Sequence, residues 1–135
     1  MRERETVVLD ASVGVKWSRP HETGSDRALS LLASHRDREL QIAVPSHFLT
    51  EVVGTAIRHG GVTLGESVWR SLRAADLTVV GLDDTLVTAA FDQCRLLGCS
   101  FYDALAPALA TLLDATLCSA DARAHGGFPG VMLVG

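Results

Sequence analysis

Four carboxylates in this chain sit where one sheet edge could gather them: Asp10, Glu51, Asp103 and Asp121. Asp10 ends the short apolar run Val7-Val8-Leu9 and is followed by Ala11-Ser12. Read as a buried strand, that run leaves Asp10 at the carboxyl edge of a sheet, where open α/β folds place their ligands. Asp121 stands in the same relation to a second run, Thr116-Leu117-Cys118-Ser119, and two strand-end acids in one parallel sheet point into one crevice. Asp103 is the only charge between Arg95 and Asp114. An unpaired carboxylate buried there would neutralise or cost several kcal/mol. Glu51 lies opposite the stripe Phe48, Leu49, Val52, Val53, Ala56 and Ile57, on a helix face shared with His47, Gly54, Thr55 and Arg58.

Each acid also has a plainer use. Asp10 and Asp121 stand where helix N-caps stand, Glu51 has the spacing of a solvated face, and Ser100-Phe101-Tyr102-Asp103 has capping-box spacing. What favours a site is convergence. Four carboxylates gathered together repel by roughly 4 kcal/mol per pair at about 4 Å, taking an effective dielectric of about 20, so the cluster needs cations in it. Oxygen ligands without supporting His or Cys select Mg²⁺ or Mn²⁺ over zinc. The chemistry that fits is metal-activated water attacking a phosphodiester. Asp10, Asp103 and Asp121 would bind the metal, with Glu51 as a further ligand or a water-orienting base, and Ser12 and Ser119 would orient the ligands. Of the five histidines only His47 falls near this cleft, and surface positions are expected for all five. Lys16, Arg19, Arg58 and Arg123 follow or flank the acids and are candidates for phosphate contacts. A Gly-rich phosphate loop and a Ser-His-Asp or Cys-His pattern are both missing from the sequence.

The elements that must position these groups follow from periodicity and punctuation. Strands are expected at 7–9, 40–44, 77–82, 116–119 and 131–134. A short helix at 11–17 stops near Pro20, and an amphipathic one covers 24–35. Ser46 is the expected N-cap of a helix that runs to His59 and stops at Gly60-Gly61; Thr63 and Glu66 then open another over 64–75. Asp83 or Asp84 caps a helix to Leu97, with Gly98 as its stop. Ser100 opens a helix that is almost wholly apolar from Ala104 to Leu113 and therefore central. Strands alternating with helices imply a mostly parallel five-stranded sheet covered on both faces.

The chain has 135 residues, enough for one domain over 1–135. Its 47% apolar content is rich in Ala and Leu, which leaves helix faces for a partner chain. Cys94, Cys99 and Cys118 are odd in number and lack paired C-x-x-C spacing, as free thiols in a reducing cytoplasm would. Met1-Arg2-Glu3-Arg4-Glu5 does not read as a signal peptide, and no apolar run approaches the roughly 18 residues of a membrane span, so a soluble protein is expected. A formal charge of −4 argues at first against a nucleic-acid partner. Setting the four acids aside leaves the remainder balanced.

Asp10-Ala11-Ser12-Val13-Gly14-Val15-Lys16-Trp17 with Pro20 and Glu22, then Pro45 with Glu51, then Tyr102-Asp103-Ala104-Leu105 with Ala108-Leu109-Ala110, then Ser119-Ala120-Asp121, together resemble the PIN domain. More narrowly they resemble VapC-type toxin ribonucleases of bacterial toxin–antitoxin pairs. The likeness runs over nearly the whole chain in order; each motif is weak alone, and four in sequence are fairly specific. It implies a three-layer Rossmann-like PIN fold, a homodimer, Mg²⁺ or Mn²⁺ at Asp10, Glu51, Asp103 and Asp121, and cleavage of structured RNA. It also implies inhibition by a small VapB-type antitoxin whose tail enters the cleft. Two departures stand out. Many relatives carry Asn where this chain has Gly54, and Tyr-Leu where it has Ala106-Pro107, the proline deleting a backbone donor in the second turn of Asp103's own helix. The rival readings are a PIN-like RNA- or protein-binding module with weakened catalysis, and a phosphoacceptor receiver domain. The receiver normally needs a lysine near its late strands, and Lys16 is the only lysine here.

Overall fold

A computed structural model describes residues 4–135. Met1 to Glu3, most of the mixed-charge start, lie outside the described residues. Five parallel strands form one sheet: β1 (Glu5–Leu9), β2 (Leu40–Pro45), β3 (Thr78–Val80), β4 (Thr116–Ser119) and β5 (Met132–Leu133), in the order β3-β2-β1-β4-β5. The expected sheet is present, and it is parallel throughout.

Six helices cover it: α1 (Ala11–Lys16), α2 (Ser25–Arg36), α3 (His47–Ala75), α4 (Asp84–Leu97), α5 (Phe101–Leu113) and α6 (Ala122–His125). Alternation along β1 divides the core. Val7 and Leu9 pack with Val13, Ala28, Phe48, Val52 and Leu72 from α1, α2 and α3 on one face. Val8 faces Leu86 and Ala90 of α4 and Leu105 and Leu109 of α5 on the other. The result is three layers, with β1 and β2 buried from both sides. From Ala104 to Ala110 every residue of α5 is buried, the central placement its apolar sequence implies.

Most boundaries fall where the punctuation puts them. Asp83 accepts from Leu86 N at 2.8 Å, and Gly98 ends α4 with φ 66°. Two expectations fail. Ser46 makes no side-chain cap: its backbone is already helical, and its N–H donates to Val80 O at 2.9 Å, extending the β2–β3 ladder. The other is β3, which keeps only three of the six residues expected. By contrast, Gly60-Gly61 does break the helix as expected: Gly61 leaves helical geometry (φ 85°, ψ 177°), so α3 is two helical stretches, 47–60 and 62–75, meeting at a kink. No single helix among the described residues is long and apolar enough to cross a membrane.

The topology decides where a site belongs. The chain leaves β1 to build β2 and β3 on one side, then returns to lay β4 on the other. The sheet's switch point is therefore the crevice between the carboxyl ends of β1 and β4, the position ligands take in open α/β sheets. Asp10 and Asp121 follow those two strands.

Candidate active site

Asp10 is buried, 7% exposed, and its N–H donates to Cys118 O at 3.0 Å, continuing the β1–β4 ladder one step. Its Oδ2 accepts from Ser12 N at 3.1 Å and Ser12 Oγ at 2.6 Å, so the carboxylate does cap α1. The Ser12 hydroxyl is shared across the crevice, accepting from Ala120 N at 2.9 Å and lying 3.5 Å from Ser119 Oγ. Asp121 is held from the β4 side: its N–H donates to Ser119 Oγ at 3.0 Å, and its Oδ1 accepts from Ala124 N at 3.1 Å, capping α6.

Asp103 sits half-buried in the first turn of α5. Its N–H donates to Ser100 Oγ at 3.1 Å, but its carboxylate returns no bond, so only half of the capping box forms. The side chain is left free for another use. Its carbonyl reaches the same network, accepting from His125 Nε2 at 2.6 Å, while His125 Nδ1 lies 2.7 Å from Ser119 Oγ. Asp103 and Asp121 thus share one hydrogen-bonded string through Ser119 and His125, and Asp10 is tied beside it through Ser12 to Ala120 N.

Glu51 stands apart on α3, exposed, with Oε1 3.3 Å from His47 Nε2. The His47 ring lies 6.2 Å from that of Tyr102, the neighbour of Asp103, so α3 and α5 approach each other here. Glu51 shares no hydrogen bond with the other three acids among the described residues.

Among the described residues no Lys or Arg pairs with any of the four acids. Two expected phosphate contacts are spent elsewhere. Lys16, almost fully buried, holds Glu22 Oε1 at 3.2 Å and Thr23 O at 2.7 Å, and Arg19 holds Glu22 Oε2 at 2.6 Å. Arg58, bonded to Thr55 Oγ1, and Arg123 are exposed and stay available. The expectation of surface histidines fails for two: His35 lies in the core between Ala75 O and Ile42 N, and His125 is 0% exposed. His125 was hidden in the sequence because its partner, Asp103, is 22 residues away, and because four-residue α6 is too short to show periodicity.

The donor set is oxygen-only, anionic and free of competing cations, which suits a hard divalent ion. Yet no group of three or more His, Cys, Asp or Glu side chains among the described residues is gathered closely enough to hold a metal ion. Hydroxyl and backbone anchors hold Asp10 and Asp121 at the ends of neighbouring β1 and β4 and tie the Asp103 carbonyl to the same network.

The family model for the PIN domain matches residues 7–126, well over half of the chain. The chain belongs to the PIN-domain family. Solved structures share the PIN fold at low identity. VapC20 of Mycobacterium tuberculosis, a sarcin-ricin loop cleaving toxin, is 17% identical with a TM-score of 0.71, over 93% of this chain and 98% of that one. VapBC2 of Rickettsia felis, solved bound to a DNA fragment from its promoter, is 17% identical with a TM-score of 0.69, over 95% and 96%. A toxin–antitoxin complex from Klebsiella pneumoniae is 15% identical with a TM-score of 0.70, over 96% and 98%. No protein with a curated description matches the chain by sequence.

Proposed function

We propose that this PIN-domain chain is a Mg²⁺- or Mn²⁺-dependent endoribonuclease, the toxin of a type II toxin–antitoxin pair, acting in the cytoplasm. The observation that carries the reading is the placement of Asp10 and Asp121 at the carboxyl ends of adjacent β1 and β4, Asp10 joined through Ser12 to Ala120 N and Asp121 through Ser119 and His125 to the start of α5, where the Asp103 carboxylate makes no hydrogen bond among the described residues. Asp10, Asp103 and Asp121 would hold the ion, and Glu51 would complete its shell or take a proton from water. When bound, the ion lowers the pKa of water and offsets charge on the phosphate. Ser12 fixes the Asp10 carboxylate with its hydroxyl hydrogen and leaves the other oxygen open. Arg58 and Arg123 supply positive charge for the RNA backbone. A VapB-type antitoxin is the proposed inhibitor, its tail entering the crevice, as toxin–antitoxin complexes among the fold's relatives suggest. Apolar residues left exposed on α4, Phe91 at 50% and Leu96 at 77%, support a homodimer.

The purified, antitoxin-free protein should cleave RNA only with Mg²⁺ or Mn²⁺ present, and Asp10→Asn should abolish cleavage. Activity that persists in EDTA sinks the proposal. One observation favours a second reading, a PIN-like RNA- or protein-binding module with weakened catalysis: the acids do not form a ready three-ligand group. Titration separates the two, since the module would bind Mn²⁺ feebly while keeping its affinity for RNA or the partner protein.

A further inference from the structure

Pro107 lies inside α5 and has no N–H. In a regular helix that N–H would donate to the carbonyl four residues earlier, which is Asp103. The donor is replaced from another element: His125 Nε2 approaches Asp103 O at 2.6 Å. A carbonyl only accepts, so Nε2 carries the hydrogen, and in the neutral ring Nδ1 then accepts from the Ser119 hydroxyl at 2.7 Å. Ser119 Oγ in turn accepts from Asp121 N at 3.0 Å. Every group in this string has one direction of donation: Asp121 N–H to Ser119, Ser119 O–H to His125, His125 N–H to Asp103. The ring that completes it is 0% exposed.

We infer that His125 is a positioning residue whose ring N–H substitutes for the amide missing at Pro107, fixing the first turn of α5, and with it the Asp103 carboxylate, against the end of β4. The inference rests on the nuclease reading only in giving Asp103 and Asp121 a shared task; the bonding exchange between positions 107 and 125 stands by itself. A histidine that merely filled space would be indifferent to residue 107. A positioning histidine becomes dispensable once residue 107 regains an N–H.

The test compares the full chain with His125→Leu, His125→Gln, Pro107→Ala and the double variant Pro107→Ala/His125→Leu. Three readouts apply: melting temperature, Mn²⁺ affinity by calorimetry, and the tautomer of His125 by ring ¹⁵N shifts. The ring should be the neutral Nε2–H form. His125→Leu should lower the melting temperature and weaken Mn²⁺ binding by about 10–100-fold, the usual cost of losing a group that supports metal ligands. His125→Gln, which keeps an N–H near the Nε2 position, should recover most of both. In the Pro107→Ala background the leucine substitution should cost little, because the new amide can bond Asp103 O. Should His125→Leu fail to fold, folding of the double variant gives the same answer. Equal losses in both backgrounds, an Nδ1–H tautomer, or a double variant that also fails to fold overturns the inference. A wild-type protein that binds no Mn²⁺ overturns the metal reading instead, and melting-temperature coupling with the tautomer still decides the role of His125.

Discussion

Glu22 receives two cations at once, Lys16 from one side and Arg19 from the other. The Lys16 hydrogen bond, opposed by partial burial and aided by the Arg19 charge, holds its carboxyl below the usual range. A carboxyl that is more acidic folded than unfolded stabilises the protein above pH of about 4.5, and that contribution is lost as pH falls through the lowered folded value. Glu22→Gln should therefore lower the unfolding free energy at pH 7 by well under about 1 kcal/mol, since the pair is solvent-screened. The difference should close as acid unfolding is followed downward from pH 5; a gap that widens instead would contradict the assignment. At this scale the sequence was informative about type and silent about contact. The four acids could be picked out by what precedes them, as with Leu9 before Asp10, and by what is absent around them, as with Asp103. Which cations were already engaged could not, because Lys16 meets Glu22 through a loop with no periodic pattern. The thiols are another example: burial pushes Cys118 up to about 11, a property its position in β4 decides and its spacing from Cys99 does not.

Two glycines at the level of elements have opposite meanings. Gly14 is where α1 lies against α3: a Cβ added there would stand 2.5 Å from Phe48 Cζ and 2.8 Å from Val52 Cγ2. Gly14→Ala should cost about 1–3 kcal/mol by overpacking and displace α1, the helix that Asp10 caps. Gly54, one turn beyond Glu51, has only Arg58 Nη1 at 3.9 Å in reach of such a Cβ. Gly54→Ala should be tolerated and add up to about 1 kcal/mol of helix stability. Denaturant unfolding of both variants checks the pair, and a destabilised Gly54→Ala would mean that this face is occupied. Elements long enough to show a period were readable, α4 and α5 best of all because Asp83, Gly98 and Ser100 bracket them. The break of α3 at Gly60-Gly61 was readable too; that the second stretch resumes at residue 62, ahead of the Thr63 expected to open it, was not. Glycine's tolerance of positive φ lets Gly61 leave helical geometry while the next residue resumes it.

For the whole molecule the balance of charge matters more than any pair. The acidic crevice is matched by no cation among the described residues, so removing one charge should relieve repulsion. Asn caps a helix about as well as Asp, which separates the two roles of Asp10. In EDTA, Asp10→Asn should melt at the same temperature as the wild type or higher, and added Mn²⁺ should raise the wild type alone. A large fall in EDTA would mean that the negative charge itself serves the fold. The layered architecture was legible because alternating strands and helices admit few arrangements, whereas the path that leaves β1 central and opens the crevice beside β4 is a matter of connection, which no local pattern encodes. The burial of Lys16 has a practical corollary. As the chain's sole lysine is enclosed by Glu22 and the Thr23 carbonyl, amine-directed crosslinkers and labels would find no reactive side chain on the folded surface.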